Sequence, residues 1–262
     1  MIFTNERDLD GMRKAGRIAG WVRDGVAAAI APGVTTRELE TLADGLIREQ
    51  GAESAFRGYH GYPGSICLSV NDEVVHGIPG SRRILPGDVV SLDVGVRFGG
   101  FVGDCARTVL VGVTDPEIRR LAAAGEAALA AGIAAAVAGN TVTDISRAVQ
   151  TVVEAQGFSV VRQFVGHGIG RKMHEDPQVP NFVTPGRRVL LKAGMTLAIE
   201  PMVNLGVADV EVMADGWTVR TLDRLPSVHF EHTVAVAEGA AEILTPLGVK
   251  MPKGLDKGGG FW

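Results

Sequence analysis

The sequence has few cysteines and no cluster of basic residues. With Cys67 and Cys105 as the only cysteines in 262 residues, neither a disulfide framework nor a cysteine-rich zinc site is available. Lysine and arginine are scattered and the net charge is −4, which argues against nucleic acid or anionic lipid as a partner. The amino terminus lacks the basic start and apolar run of a signal peptide. We therefore expect a cytoplasmic protein that binds neither nucleic acid nor membrane.

The sequence also lacks a hydrophobic run typical of a membrane span. Its most apolar stretch, residues 121–139, is mostly alanine and contains Glu126, which favours a packed amphipathic helix. Apolar residues make up 46% of the chain, enough for a substantial buried core. A globular enzyme is the expected class.

Periodicity predicts two helices followed by antiparallel strands. Helical spacing covers residues 5–30, and a second helix begins at Thr35, where Glu38 completes a capping box. The pattern then becomes extended over residues 65–70 and over two apolar runs joined by Gly99-Gly100. A long helix to about residue 138 and another to Gly157 begin the same order again. This order predicts an α+β fold.

An internal repeat accompanies this order. Residues 32–51 align with residues 138–157. With a shift of one more residue, the later strands also align, and Asp93 falls on Glu200. We infer two halves, 1–113 and 114–248, related by a pseudo-twofold axis within a single catalytic domain of residues 1–248. The glycine-rich tail, residues 249–262, is expected to be flexible and receives no function.

Acidic side chains interrupt apolar strands in both halves. If Gly99-Gly100 is a two-residue turn, Asp93 and Asp104 are diagonal neighbours with Cβ atoms roughly 7 Å apart. Glu200 and Glu231 lie in apolar strands of the second half. Buried charges are costly unless they are compensated. The four carboxylates therefore require basic partners, protonation or metal ions.

Metal ions explain this set better than the alternatives. Arg97 and Arg107 could pair with one aspartate, but no similar basic residue flanks Glu200. His167 supplies a neutral nitrogen ligand, and its neighbouring glycines permit close backbone approach to the site. One histidine with four carboxylates suits two divalent ions, such as Mn, Fe, Co or Zn. Such a pair predicts hydrolysis of an amide, ester or phosphate. His76 and His174 would hydrogen-bond the substrate and the developing negative charge.

Five strings, read together, resemble a known family. In order along the chain they are GYHGYPGSICLSVNDEVVHGIP, SLDVG…GDCARTV, GHGIGRKMHEDP, IEPM and FEHTVAV. They resemble the type I methionine aminopeptidases in the bacterial short form, M24 metallopeptidases, from about residue 5 to 240. The resemblance implies the pita-bread fold, in which two pseudo-symmetric halves with antiparallel sheets cup a dinuclear metal site and the helices lie outside.

The resemblance also implies roles for individual residues. The positions that match the family's metal ligands are Asp93, Asp104, His167, Glu200 and Glu231. Glu200 matches the general base for a metal-bridging water that attacks the scissile carbonyl. His174 matches the residue that stabilises the tetrahedral intermediate, and His76 matches the one that bonds the scissile amide nitrogen. The substrate-binding set is Tyr59, Tyr62, Cys67, His76, Met173, His174 and Trp217.

Two positions depart from the family pattern. Met173 stands where bacterial relatives often have phenylalanine, and His229 stands where they often have glutamine. Both lie beside the implied pocket or metals, so side-chain preference and metal affinity are expected to differ from those of better-known members.

The implied activity is removal of the initiator methionine from nascent proteins, preferably before a small second residue. We expect a monomer acting on nascent polypeptides, with contact to the ribosome left open. Two rival interpretations are a proline-specific peptidase of the same fold and a metal-free binding module. The expected tyrosine, cysteine and tryptophan pocket opposes the first rival, and the complete ligand set opposes the second.

Overall fold

Four α-helices form the outside of the protein. The computed structural model describes residues 2–3, 5–186 and 188–250, so nearly all of the predicted tail lies outside the described residues. The helices are α1 (Glu6–Ala29), α2 (Thr36–Glu49), α3 (Pro116–Ala135) and α4 (Val142–Ala155), with a 3-10 turn at Tyr59–Gly61. None of the helices in the described ranges is long and apolar enough to cross a membrane.

A capping box, in which two residues exchange hydrogen bonds, lies at the start of α2 and at the start of α4. The Thr35 N–H donates to Glu38 Oε2 over 2.7 Å, and the Glu38 N–H donates to Thr35 Oγ1 over 3.2 Å. The predicted capping box is therefore confirmed. The Thr141 N–H likewise donates to Asp144 Oδ2 over 2.8 Å at the start of α4. Both boxes satisfy backbone donors that a helix start leaves free.

The strands are short except for one hairpin. They are β1 (Glu53–Ser54), β2 (Cys67–Val70), β3 (Glu73–Val75), β4 (Val89–Phe98), β5 (Phe101–Leu110), β6 (Ser159–Val160), β7 (Gly166–Gly168), β8 (Glu175–Val179), β9 (Thr196–Ile199), β10 (Met202–Asn204), β11 (Val210–Val212), β12 (Val219–Thr221), β13 (Ser227–His229), β14 (His232–Ala235) and β15 (Glu242–Ile243). The sheets have the orders β1-β4-β2 with β5 on β4, β13-β10-β6, β11-β12-β3 and β15-β14-β9-β7-β8. The pairings are antiparallel, as the α+β prediction required.

The β4–β5 hairpin has the predicted register. Gly99 and Gly100 have φ values of 57° and 81°, the left-handed pair that a tight two-residue turn needs. Phe98 pairs with Phe101, which places Gly95 opposite Asp104. Asp93 is therefore two residues from the partner of Asp104, on the same face.

Helices α1 and α2 cover one hydrophobic core, and helices α3 and α4 cover another. One core holds Ile18, Val22 and Leu39 with Leu68 and Leu92, so α1 and α2 pack on the β2–β4–β5 sheet. The other holds residues from α3, α4 and the later strands, including Leu121, Ile145, Val149, Leu197 and Val228. The order of two helices followed by strands thus occurs twice, and its origin by duplication stays a prediction.

Threonine hydroxyls join the two halves where β5 meets β13 and β14. Thr233 Oγ1 donates to the Asp104 carbonyl over 2.8 Å and accepts from the Asp104 N–H over 3.1 Å. Thr108 Oγ1 bridges the backbone of His229 in the same way, at 3.0 Å and 2.9 Å. The backbones of Ala106 and Glu231 also bond to each other in both directions. These links fix the first-half acids relative to the second-half acids.

Candidate active site

A cavity of about 230 Å³ lies between the two halves. Every residue that the sequence analysis placed in the site lines it: Tyr59, Tyr62, Cys67, His76, Asp93, Asp104, His167, Met173, His174, Glu200, Trp217 and Glu231. The structure thus brings the predicted set together at one place.

Different strands deliver the five candidate ligands. Asp93 is on β4, Asp104 on β5 and His167 on β7, whereas Glu200 follows directly after β9 and Glu231 directly precedes β14. Ligand atoms of Asp104, His167 and Glu231 all lie within 4.8 Å of one another. Glu200 Oε1 lies 3.5 Å from His167 Nε2. These separations leave room for a cation between the side chains.

His167 presents a free nitrogen to the acids. Its Nδ1 lies 2.9 Å from the Gly168 carbonyl, which can only accept, so Nδ1 carries the proton. Burial lowers the pKa of His167 to about 4, which keeps the ring neutral. The Nε2 lone pair consequently faces Glu200 and Asp104, the latter at 3.9 Å. This tautomer is the one that a metal-ligating histidine requires.

The carboxylates lack compensation within the described residues. Burial raises the pKa of Asp93 to about 7, and burial together with the Asp93 charge raises the pKa values of Asp104 and Glu200. The pKa of Glu231 is raised by burial and by Asp104. Asp93 Oδ1, Asp104 Oδ1 and Glu231 Oε1 are buried without a hydrogen-bond partner. Buried acceptors with no donor are costly, and a divalent cation would satisfy them.

The two arginines that offered an alternative to metal ions lie elsewhere, which removes them as partners of the acid cluster. Arg97 donates to the Arg171 carbonyl over 3.1 Å, and the Arg107 guanidinium lies 3.8 Å from Asp24. With basic partners excluded at these two positions, four carboxylates and one neutral imidazole remain. This donor set suits a hard or borderline divalent ion.

His174 and His76 line the cavity beside the acids. His174 Nδ1 lies 2.7 Å from the Tyr59 hydroxyl, and its ring centroid lies 4.3 Å from that of His167. His76 has a φ of 60°, a strained backbone conformation that is typical of functional sites. Burial lowers the pKa of His76 to about 4 and also lowers the pKa of His174. Both rings are neutral at pH 7 and each carries one N–H donor.

Aromatic and sulfur-containing side chains form another part of the cavity lining. Tyr62 packs edge-on against Trp217 with centroids 5.1 Å apart, and its hydroxyl lies 2.9 Å from the Gly77 carbonyl. Burial raises the pKa of the Cys67 thiol, so that wall carries a neutral sulfur. Met173 is 2% exposed and adds a flexible thioether. The lining of the site therefore combines acidic with apolar side chains.

Sequence reasoning missed part of the lining. The additional residues are Phe56, His60, Val75, Phe164, Val165 and Met202. His60 could have been predicted from the sequence, because it neighbours Tyr59. Nothing in the sequence marked the apolar residues as part of the lining. His229 is buried near the site, with Nε2 3.9 Å from Glu200 Oε2 and without a hydrogen-bond partner in the described chain.

The glycines beside His167 allow close contact between strands. A Cβ on Gly166 would lie 2.4 Å from the Ala198 carbonyl oxygen, and one on Gly168 would lie 2.2 Å from the Asp176 carbonyl oxygen. Such contacts do not occur between real Cβ and oxygen atoms. These glycines were expected to permit close approach of the backbone to the site. In the structure they let β7 lie close to the neighbouring backbone.

Comparison with known proteins decides the family. The model of metallopeptidase family M24 matches residues 10–238. The chain belongs to metallopeptidase family M24. Membership of this family implies use of a divalent metal, in agreement with the donor set of the cavity. The number and identity of the ions are separate questions.

Relatives of this M24 chain match it over nearly its whole length. Methionine aminopeptidase of Clostridium perfringens is 50% identical over 245 residues, covering 94% of this chain and 98% of that protein. Methionine aminopeptidase 1 of Bacillus subtilis is 46% identical, with coverage of 94% and 99%. A crystal structure of methionine aminopeptidase from Thermotoga maritima has a TM-score of 0.90 at 43% identity, covering 94% and 99%.

A more distant structure shares the fold. Prolidase from Pyrococcus furiosus has a TM-score of 0.77 at 23% identity, and this chain covers 66% of it. The pita-bread fold predicted from the sequence is therefore confirmed.

Proposed function

We propose that this protein is an aminopeptidase that removes the N-terminal methionine from polypeptides. The observation that carries the proposal is the cavity lining, which combines an acid cluster with aromatic, apolar and sulfur-containing side chains. A methionine side chain is flexible and apolar, so an aromatic and thioether surface suits it. The names of the similar proteins support this assignment.

The metal would be held by Asp93, Asp104, His167, Glu200 and Glu231, and we propose two ions of Co, Mn, Fe or Zn. Ions bound there would supply Lewis acidity, which activates a water and polarises the scissile carbonyl. We propose Glu200 as the general base, because it lies at the cavity wall among the candidate ligands and a carboxylate can take a proton.

The histidines then act on the reacting amide. Burial raises the pKa of Tyr59, so its hydroxyl keeps its proton and donates to His174 Nδ1. The remaining proton of His174 is on Nε2, from which it can stabilise negative charge on the carbonyl oxygen. We assign His76 to the scissile amide nitrogen. Nascent polypeptides with a small second residue are the proposed substrates, and action at the ribosome remains part of this proposal.

Replacing Tyr59 with phenylalanine is expected to lower kcat about fivefold with little change in KM. The hydroxyl orients His174, and a neutral hydrogen bond contributes about 1 kcal/mol. Steady-state release of free methionine measures the effect. In a His174→Ala background the same substitution should have no further effect. Equal losses in both backgrounds would remove the proposed link between the two residues.

The reaction itself is tested by a panel of metals and peptides. Metal-free enzyme supplied with Mn, Co, Fe or Zn is expected to release methionine from Met-Ala and Met-Gly peptides. X-Pro peptides should be poor substrates, because the lining formed by Tyr62, Cys67 and Trp217 favours a methionine side chain. Preferential cleavage of X-Pro peptides would favour a proline-specific peptidase. Absence of both metal binding and peptidase activity would favour a binding module.

A further inference from the structure

A second cavity lies behind the strands that carry Asp104 and Glu231. Its volume is about 460 Å³, within the range of small-molecule sites. Phe230 and His232 line it, while Glu231 between them lines the catalytic cavity. Side chains alternate along an extended chain, so the two cavities occupy opposite faces of one segment. We call this second cavity the rear cleft.

The walls of the rear cleft are apolar and partly open. Leu129 and Ile133 of α3 form one wall together with Phe230. Leu247 and Ile243 are 61% and 39% exposed at the rim. Large aliphatic groups in contact with water gain free energy when an apolar ligand covers them.

Arg107 provides a cationic donor with no acceptor. Its Nε is buried without a hydrogen-bond partner, although the side chain as a whole is 37% exposed. The nearest ion-pair distance is 3.8 Å, from its terminal nitrogen to Asp24 Oδ1, which is too long for a hydrogen bond. Asp24 Oδ1 already accepts from Arg23 over 3.0 Å. Arginine does not lose its proton, so Arg107 presents a permanent positive charge in the lining of the cleft.

Asp24 offsets part of the positive charge around the cleft, because it lies 3.0 Å from Arg23 and 3.8 Å from Arg107. Arg23 is fully buried and donates to the carbonyls of Thr245 and Pro246. His232 is held by a 2.9 Å contact between Nδ1 and Thr245 Oγ1. Glu126, which is exposed on α3, supplies the negative charge of the lining.

We propose that the rear cleft binds a small amphipathic carboxylate, whose head group accepts from Arg107 and whose apolar chain lies against Leu129, Ile133 and Phe230. The guanidinium fork matches a carboxylate in shape and charge. An apolar chain of several carbons fits the aliphatic wall. This site is independent of the proposed peptidase activity, since none of these residues lines the catalytic cavity.

The test is a titration of the full-length, metal-loaded protein with octanoate, followed by NMR of methyl groups. Saturable shifts are expected at Leu129 and Ile133. Arg107→Met should weaken binding about tenfold or more, because a charge-assisted hydrogen bond is lost. 1-Octanol, which has the same chain without the charge, should bind more weakly by a similar factor. Shifts confined to the Met173 and Met202 methyls would place octanoate in the catalytic cavity and overturn the proposal.

Two further variants, each of which changes one charge, provide a control and a second test of octanoate binding. Arg48→Met, on the exposed face of α2, removes the same charge and should leave the affinity unchanged. Glu126→Gln keeps Arg107 in place and should tighten octanoate binding, so the proposal is tested even if Arg107→Met does not fold. Unchanged affinity in both the Arg107 and Glu126 variants would show that no carboxylate binds beside Arg107.

Discussion

Replacing Glu200 with glutamine is expected to lower kcat for a Met-Ala peptide by about 10²- to 10⁴-fold, the usual contribution of a general base. The amide keeps the size of the side chain but cannot accept the proton. Methionine release by the metal-loaded variant measures the loss. Metal content measured on the same sample separates a lost base from a lost ligand.

Glu49→Gln is the matched control for this substitution. Glu49 is exposed in the last turn of α2 and is not part of the cavity lining. Its variant should keep the kcat of the parent protein. Activity retained by Glu200→Gln at full metal content would remove Glu200 from the role of base.

Metal-free protein is expected to lose stability as pH rises from about 6.5 to about 8.5. The pKa of Asp93 rises from 3.8 in the unfolded chain to about 7 in the folded protein, and burial raises the pKa values of Asp104 and Glu231. The folded state therefore holds more protons than the unfolded state, so increasing pH favours unfolding. Below pH 6.5 neutral buried histidines such as His167 oppose this trend, since their folded pKa values are lowered.

Thermal unfolding in chelator across this pH range measures the effect. Adding Mn²⁺ should raise Tm most at the alkaline end, because metal binding requires deprotonated carboxylates. Asp93→Asn should raise the Tm of the metal-free protein at pH 8 and flatten its pH dependence, since one buried charge is removed. A metal-free Tm that is constant between pH 6.5 and 8.5 would contradict the account of the acid cluster.

The sequence predicted these elements of the fold because each one depends on residues that are close together in the chain. The Gly99-Gly100 turn determined the register of the hairpin, and Thr35 with Glu38 marked a helix start. Asp93 and Glu200 stood out as candidates because carboxylates are rare inside apolar strands. Their roles as ligands stay predictions.

The rest of the site depended on tertiary structure. Phe56 and Phe164 line the cavity, but nothing local separates them from other apolar residues. Arg107 was one alternative partner for an aspartate of the cluster, but its position on β5 rules out Asp104 as that partner. Asp104 and Arg107 are three residues apart on β5, so their side chains point to opposite faces.

The threonine links between the halves have a consequence for folding. Asp104 and Thr233 are 129 residues apart in sequence, and Thr108 and His229 are 121 apart. Contacts between residues so far apart in sequence form slowly, because a long loop must close before they contribute to stability. The first half of a growing chain carries only Asp93 and Asp104 of the acid cluster. The complete cluster therefore assembles only after synthesis has passed Thr233.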